Sequence, residues 1–118
     1  MIEVDLECYR GDTTAWTINV SYQGLPVDLT GATLTMSAKR GFAASTYVFQ
    51  RVTGNGVTHD ADQVNNRGKA VVKLAPLSTS GLPPDKVVLR YDLQVITSAG
   101  DTWTVGAGQL TVKPDVTL

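Results

Sequence analysis

Val87-Val88-Leu89-Arg90-Tyr91-Asp92-Leu93-Gln94-Val95-Ile96-Thr97 is the stretch on which the fold turns. Leu89, Tyr91, Leu93 and Val95 fall on one face of an extended backbone, and Arg90, Asp92 and Gln94 on the other. A period of two with one apolar and one polar set marks a strand that is buried on one side and wet on the other. The approach, Ser80-Gly81-Leu82-Pro83-Pro84-Asp85-Lys86, is turn-rich, because its two prolines fix φ and offer no amide to a sheet. Ser98-Ala99-Gly100-Asp101 then reverses the chain into a further alternating run. A strand entered through a proline turn and left through a hairpin belongs near the middle of a β-sandwich.

The same period recurs upstream. Ile2, Val4, Leu6 and Cys8 alternate with Glu3, Asp5 and Glu7, which predicts a first strand with an acidic outer face suited to a protected sheet edge. After the turn at Arg10-Gly11-Asp12-Thr13, Trp16, Ile18, Val20 and Tyr22 form the apolar face of a second strand. Gln23-Gly24-Leu25-Pro26 reads as a reversal. Ala32, Leu34, Met36 and Ala38 then share a face opposite Thr33, Thr35 and Ser37, whose threonines suit the pleat through their β-branch. Arg40 to Thr46 reads as a loop and Tyr47 to Val52 as a short strand. Thr53 to Gly68, rich in Gly, Asn and Asp, is long for a connection; Val57 and Val64 are its expected core contacts, with either a short strand near Val57 or a binding loop.

Downstream, Lys69 to Leu74 resumes strand character, and Ala75 to Asp85 has room for one helical turn. Beyond the decisive strand, Thr102-Trp103-Thr104-Val105 leads through Gly106-Ala107-Gly108 into Gln109-Leu110-Thr111-Val112-Lys113, and the two glycines predict a bulge or bend. Pro114 ends pairing, and residues 114–118 read as an exit or docking tail. No segment sustains an apolar pattern at helical spacing. About seven to eight short strands separated by turn signals predict an all-β, immunoglobulin-like antiparallel β-sandwich, although paired cysteines around a Trp are missing. Tyr91, just past the Pro83-Pro84 corner, is a candidate for a corner tyrosine whose hydroxyl bonds backbone a few residues upstream.

Bulk properties narrow the function. With 118 residues the chain makes a single domain over 1–118. A net charge of -1 provides no long-range field for nucleic acid or an anionic bilayer. One cysteine, Cys8, forms no internal disulfide. The acidic opening is unlike a secretory signal, and no apolar run approaches the roughly 20 residues that span a bilayer. A soluble product made in the cytosol is expected, with neither nucleic acid nor membrane as partner.

Four segments follow one order and spacing: Arg10-Gly11-Asp12-Thr13; Gly24-Leu25-Pro26-Val27-Asp28-Leu29-Thr30-Gly31-Ala32-Thr33-Leu34-Thr35-Met36; Leu89-Arg90-Tyr91-Asp92-Leu93-Gln94-Val95; and Gly108-Gln109-Leu110-Thr111-Val112-Lys113-Pro114-Asp115-Val116-Thr117. Together they resemble the N-terminal domain of the phage upper baseplate protein family. The resemblance implies an immunoglobulin-like module located in the virion, docking a receptor-binding or fibre component onto the particle, with other virion proteins and further copies of itself as partners. That domain usually opens a longer protein, so the chain ending at Leu118 is read as either a stand-alone component or a truncated one. The family supplies no catalytic residues.

Each sharper motif has a plainer competitor. Arg10-Gly11-Asp12 matches the integrin tripeptide but reads as a turn. Asn19-Val20-Ser21 is a glycosylation sequon placed in a strand. His59, Asp60 and Asp62, with Asn65 and Asn66, present oxygen ligands without the glycine and terminal Glu of a calcium loop, and read as a solvated loop. Cys8 sits in an inward register, and nothing in the sequence pairs it with His59, the single histidine. No catalytic residue, metal or cofactor is assigned and no enzyme activity is expected. Trp16, Trp103, Tyr9 and Tyr22 raise a carbohydrate-binding or adhesin alternative, with a head-decoration protein as a further one. Contact is expected at Phe42, Asn55, Trp103 and Asp115, through the loops, strand edges and tail.

Overall fold

Alternation of apolar and polar side chains is realised as strand through most of the chain. The computed structural model describes residues 2–41, 46–83 and 85–114. Strand makes up 56% of these, and the single helical element is a 3-10 turn at Pro76–Ser78. In chain order the strands are β1 (Ile2–Glu3), β2 (Leu6–Tyr9), β3 (Thr14–Asn19), β4 (Ser21–Tyr22), β5 (Leu25–Pro26), β6 (Thr33–Lys39), β7 (Phe49–Thr53), β8 (Gly56–His59), β9 (Lys69–Leu74), β10 (Val87–Ile96) and β11 (Thr102–Lys113). Nine of them form one sheet in the order β1-β11-β10-β6-β7-β8-β9-β3, with β2 also on β11, while β4 and β5 make a separate ribbon. The sheet curls until it is nearly barrel-shaped.

β10 is the decisive stretch, and it lies inside the sheet. Arg90 to Ile96 ladder against β6, and Val87 to Ile96 ladder against β11. Leu89 and Val95 are fully buried, and Tyr91 and Leu93 nearly so. Ala32, Leu34, Met36 and Ala38 are buried from β6 and its approach, as the pattern predicts. Each Leu buried to this degree contributes about 1.5–3 kcal/mol relative to an exposed one. The predicted irregularity in β11 is a bulge: Leu93 faces Gly106 and Gln94 faces Thr104, so Val105 has no partner across the strand.

Several expectations are corrected. The sheet is mixed rather than antiparallel, because β1 and β2 pair with β11 in parallel and β7 pairs with β8 in parallel. The first strand breaks at Val4-Asp5, leaving Val4 exposed instead of inward. Gln109 N–H donates to Asp5 Oδ1 at this break (3.2 Å), so a side chain replaces a ladder bond. Val64 is 85% exposed, and the side chain buried from that loop is Gln63. Gln63 Oε1 accepts from Leu29 N–H and Gly68 N–H (3.0 and 3.1 Å) while Nε2 donates to the Asp60 carbonyl (2.8 Å). A buried amide with three partners holds the loop more firmly than a valine contact would. Tyr91 hydroxyl does bond a backbone carbonyl, but that of Val4, distant in sequence, rather than one a few residues upstream.

The Val57 region is the short strand β8, with Val57 buried. The Gln23-Gly24 reversal has positive φ at both positions, 53° and 80°, which is the backbone of a type I′ hairpin turn. Gly108 is required for a different reason: a Cβ there would lie 2.2 Å from the Val4 carbonyl oxygen. Its missing side chain lets β1 and β2 approach β11 and lets Tyr91, directly opposite Gly108, reach Val4.

Replacing Tyr91 by Phe removes the one side-chain donor to Val4 without opening the core. The expected loss of stability is about 1–1.5 kcal/mol, read from the midpoint of urea unfolding with an unchanged slope.

Candidate interaction surface

The outward residues of the central strands form cross-strand rows fixed by register. Gln50, Ser37, Asp92 and Ala107 make one row across β7, β6, β10 and β11; Lys39, Arg90 and Gln109 make the next; Thr35, Gln94 and Thr104 make a third. Residues opposite one another in such rows stand close enough to interact directly. Small side chains leave room between the long ones. A groove of about 350 Å³ is lined by Thr35, Ser37, Lys39, Gln50, Asp92 and Gln94. A second hollow of about 570 Å³, over Ala107 and Gly108, shares Arg90 and Asp92 with the first. Side chains capable of filling it are missing because the Gly106-Ala107-Gly108 segment has none larger than a methyl group.

Charge on this face is mixed and ordered. Gln50 Nε2 donates to Ser37 Oγ at 2.9 Å. With its amide oxygen turned toward Arg90, Gln109 accepts from Nη1 and Nη2 at 2.9 and 3.2 Å. Asp92 lies two residues from Arg90 on β10 and diagonal to Lys39 on β6; partial burial pushes its carboxyl above the ordinary carboxylate range, and Lys39 offsets part of that rise. At the corners sit exposed apolar groups: Tyr47, with Lys39 Nζ 4.9 Å from its ring centre, and Val88 and Ile96 on β10. Tyr9 is a further exposed ring, with Lys113 Nζ 5.7 Å from its centre, and Lys113 also pairs with Glu7 at 3.3 Å. An exposed pair of this kind contributes about 0–1 kcal/mol and sets orientation more than stability.

Of the four residues expected to make contacts, Phe42 and Asp115 lie outside the described residues. Asn55 is exposed in the turn between β7 and β8, exchanging backbone bonds with Val52. Trp103 is half-buried and stacks on Tyr22 with ring centres 4.5 Å apart and planes 4° apart. The two rings thus each cover one face of the other. Trp16 is half-buried against the core. The candidate contact residues that sequence reasoning missed are Lys39, Arg90, Asp92 and Gln94, each visible as the polar set of its strand but not as neighbours, since register is a non-local property.

The chemically sharper motifs resolve into structural roles. Cys8 on β2 and His59 on β8 are separated in the sheet by β11, β10, β6 and β7. Burial, with a smaller contribution from Asp12, pushes the Cys8 thiol up to about 11. His59 Nε2 lies 2.8 Å from Thr53 Oγ1, which also accepts from Leu34 N–H at 2.8 Å, so the imidazole joins β8 to β7 and β6. Asp60 and Asp62 use their oxygens locally: Asp60 Oδ1 accepts from Asp62 N–H, and Asp62 Oδ1 accepts from the N–H groups of Val64 and Asn65. Among the described residues no three His, Cys, Asp or Glu side chains are grouped to hold a metal. In the Arg10-Gly11 turn, Gly11 N–H donates to the buried Thr79 hydroxyl at 2.8 Å, tying the turn to the loop after β9. No helix among the described residues is long and apolar enough to cross a membrane. No family model matches the chain, and no curated protein matches it.

Two measurements follow from these environments. Near pH 8, iodoacetamide is expected to alkylate Cys8 about 100-fold more slowly in the folded protein than in the urea-unfolded chain, because the buried thiol keeps its proton. For Asp92 the folded carboxyl titrates above the unfolded one, so its ionisation disfavours the fold as pH rises through that interval. Asp92→Asn is therefore expected to raise the melting temperature at about pH 7 and to lose that advantage at about pH 3, where the carboxyl is neutral in both states.

Proposed function

We propose that the chain is a structural docking module of a bacteriophage particle, holding a receptor-binding or fibre component in the tail or baseplate. The observation that carries this reading is the broad outer face of β7, β6, β10 and β11. Its centre is polar with ordered charge, two shallow hollows receive partner side chains, and apolar groups stand at its corners. Mixed charge on such a face selects partner and register more than it adds affinity. The segments from Arg10, Gly24, Leu89 and Gly108 that resemble the phage upper baseplate family support the virion setting, after synthesis in the bacterial cytoplasm.

The connectivity supports an immunoglobulin-like sandwich within the all-β class. On that reading β3, β9 and β8 form one layer, and β7, β6, β10, β11 and β2 form the other. The layers join through the short pairing of Val52 with Gly56 and Thr53 with Val57. The module acts without chemistry of its own: a protonated buried thiol and a histidine engaged with Thr53 lie on distant strands. Closed symmetry at a virion site favours several copies acting together. A head-decoration role uses the same face at a different place on the particle. A glycan-binding role is favoured by one feature, the exposed Tyr47 ring beside a groove of hydroxyl, amide and carboxylate groups.

Mass spectrometry of gradient-purified particles tests the assignment. The chain is expected in stoichiometric amount, and Asp92→Lys, folded by circular dichroism, is expected to be incorporated about tenfold less. Particles without the chain overturn the virion reading. Saturable binding on a glycan array, abolished by Tyr47→Ala, replaces it with the carbohydrate reading.

A further inference from the structure

The sheet does not close. Its two ends are β3 on one side and β1 and β2 on the other, and between them runs a cavity of about 420 Å³. Val4, Leu6, Trp16, Ile18, Leu93 and Val105 give it an apolar lining. Trp16 and Ile18 are only half-buried there, whereas equivalent inward residues of β6 and β10 are almost fully buried.

Both walls also present backbone. In β3 the ladder phase is set by Val20 N–H, which donates to the Gly68 carbonyl at 2.7 Å. Antiparallel ladders alternate, so Trp16 and Ile18 bond toward β9 while the amides and carbonyls of Ala15, Thr17 and Asn19 point to the outer edge. Among the described residues β3 has β9 as its one sheet partner. Across the cavity Val4 and Arg10 donate toward β11, to the carbonyls of Ala107 and Lys113. The alternation turns the backbone of Asp5 and Glu7 toward the opening, while the Tyr9 carbonyl accepts from Asp12 N–H at 3.2 Å. Two strand edges with unpaired groups, separated by an apolar slot, are the requirements for β-strand addition.

We propose that this seam accepts an extended segment of a partner protein, inserted as an additional strand between β3 and β2. Its inward side chains are apolar and alternate with outward basic ones. The charge preference follows from the outer rim, where Asp5, just before β2, and Glu7 on it are exposed and outnumber Lys113, the partner of Glu7, while the facing rim of β3, Thr17 and Asn19, is neutral. A second copy of this chain fits less well. Its own edge segment carries Asp5 and Glu7, which repel the same residues across the seam, and pairing β3 with β3 of another copy leaves the cavity unfilled because Trp16 and Ile18 already point inward. A small apolar molecule leaves both rows of edge amides unpaired. This surface meets the polar face at Asp5, which also lines the hollow over Ala107 and Gly108, and the inference does not depend on the virion assignment.

A short capped peptide alternating valine with lysine tests the seam on the purified protein. Trp fluorescence is expected to report saturable binding, and hydrogen exchange at the amides of Ala15, Thr17 and Asn19 is expected to slow by about tenfold or more. A peptide with glutamate in place of lysine is expected to bind about tenfold more weakly, one with N-methylated valines not at all, and Ile18→Asp to weaken binding by about tenfold or more. Exchange measured on the parent protein decides the matter even where Ile18→Asp fails to fold. Absence of binding at millimolar peptide, binding without protection of those amides, or equal binding of the glutamate peptide overturns the proposal. Protection of the same amides on self-association without peptide assigns the seam to a second copy instead, and also overturns it.

Discussion

Everything else in the sheet depends on β10 being hydrogen-bonded along both edges while its inward side chains fill the core. A strand in that position leaves its neighbours little freedom. Slipping β6 or β11 by one residue exchanges the buried face for the wet one, placing Thr35 and Ser37 where Leu34 and Met36 now pack. The register is therefore enforced by Leu89, Tyr91, Leu93 and Val95 together rather than by any single ladder bond. Tyr91 carries the constraint further, since burial and the nearby Asp5 keep its phenol protonated as a donor to Val4. The first residues of the chain are thereby tied to the middle of the sheet.

The bulge at Val105 and the small residues after it shape the outer face. An unmatched residue increases local twist, which helps the sheet to curl. The same segment, Gly106-Ala107-Gly108, is too small to cover the outward side of β10, so hollows form beside Arg90 and Asp92. One stretch of sequence thus admits the edge strands on one side and leaves concave polar surface on the other.

Much of this architecture is legible in the sequence because the side-chain period of a strand is a local property. The buried faces of β6 and β10 and the turn at Gln23-Gly24 follow from neighbouring residues, whereas the bulge near Gly106 and the strand at Val57 are each one of two readings that local sequence leaves open. Pairing is different. Nothing local to Ile2 through Tyr9 tells whether those residues join β3 or β11, and the parallel choice depends on Gly108 being unable to block Val4. Gln63 and Val64 show the same limit, because polarity sorts them correctly only when Gln63 lacks partners. Here Leu29, Asp60 and Gly68 supply three. The surface rows were invisible for the same reason: Lys39, Arg90 and Gln109 are far apart in sequence and become neighbours only through register.

The two surfaces differ in what each can supply to an assembly. The polar face offers charges already engaged with neighbours, Asp92 with nearby Lys39 and Arg90 with the Gln109 amide. A partner there exchanges existing interactions for new ones, which gives selectivity with modest net gain. The proposed seam offers the reverse, unpaired backbone and half-exposed Trp16 and Ile18, so each hydrogen bond formed satisfies an edge group and each apolar side chain inserted leaves water. Backbone pairing is nearly indifferent to the identity of the inserted side chains, so selectivity at the seam rests mainly on its rim, where Asp5 and Glu7 outnumber Lys113, the partner of Glu7. On the proposed docking role, a module that uses both surfaces gains its hold from the edge strands and its choice of neighbour from the face.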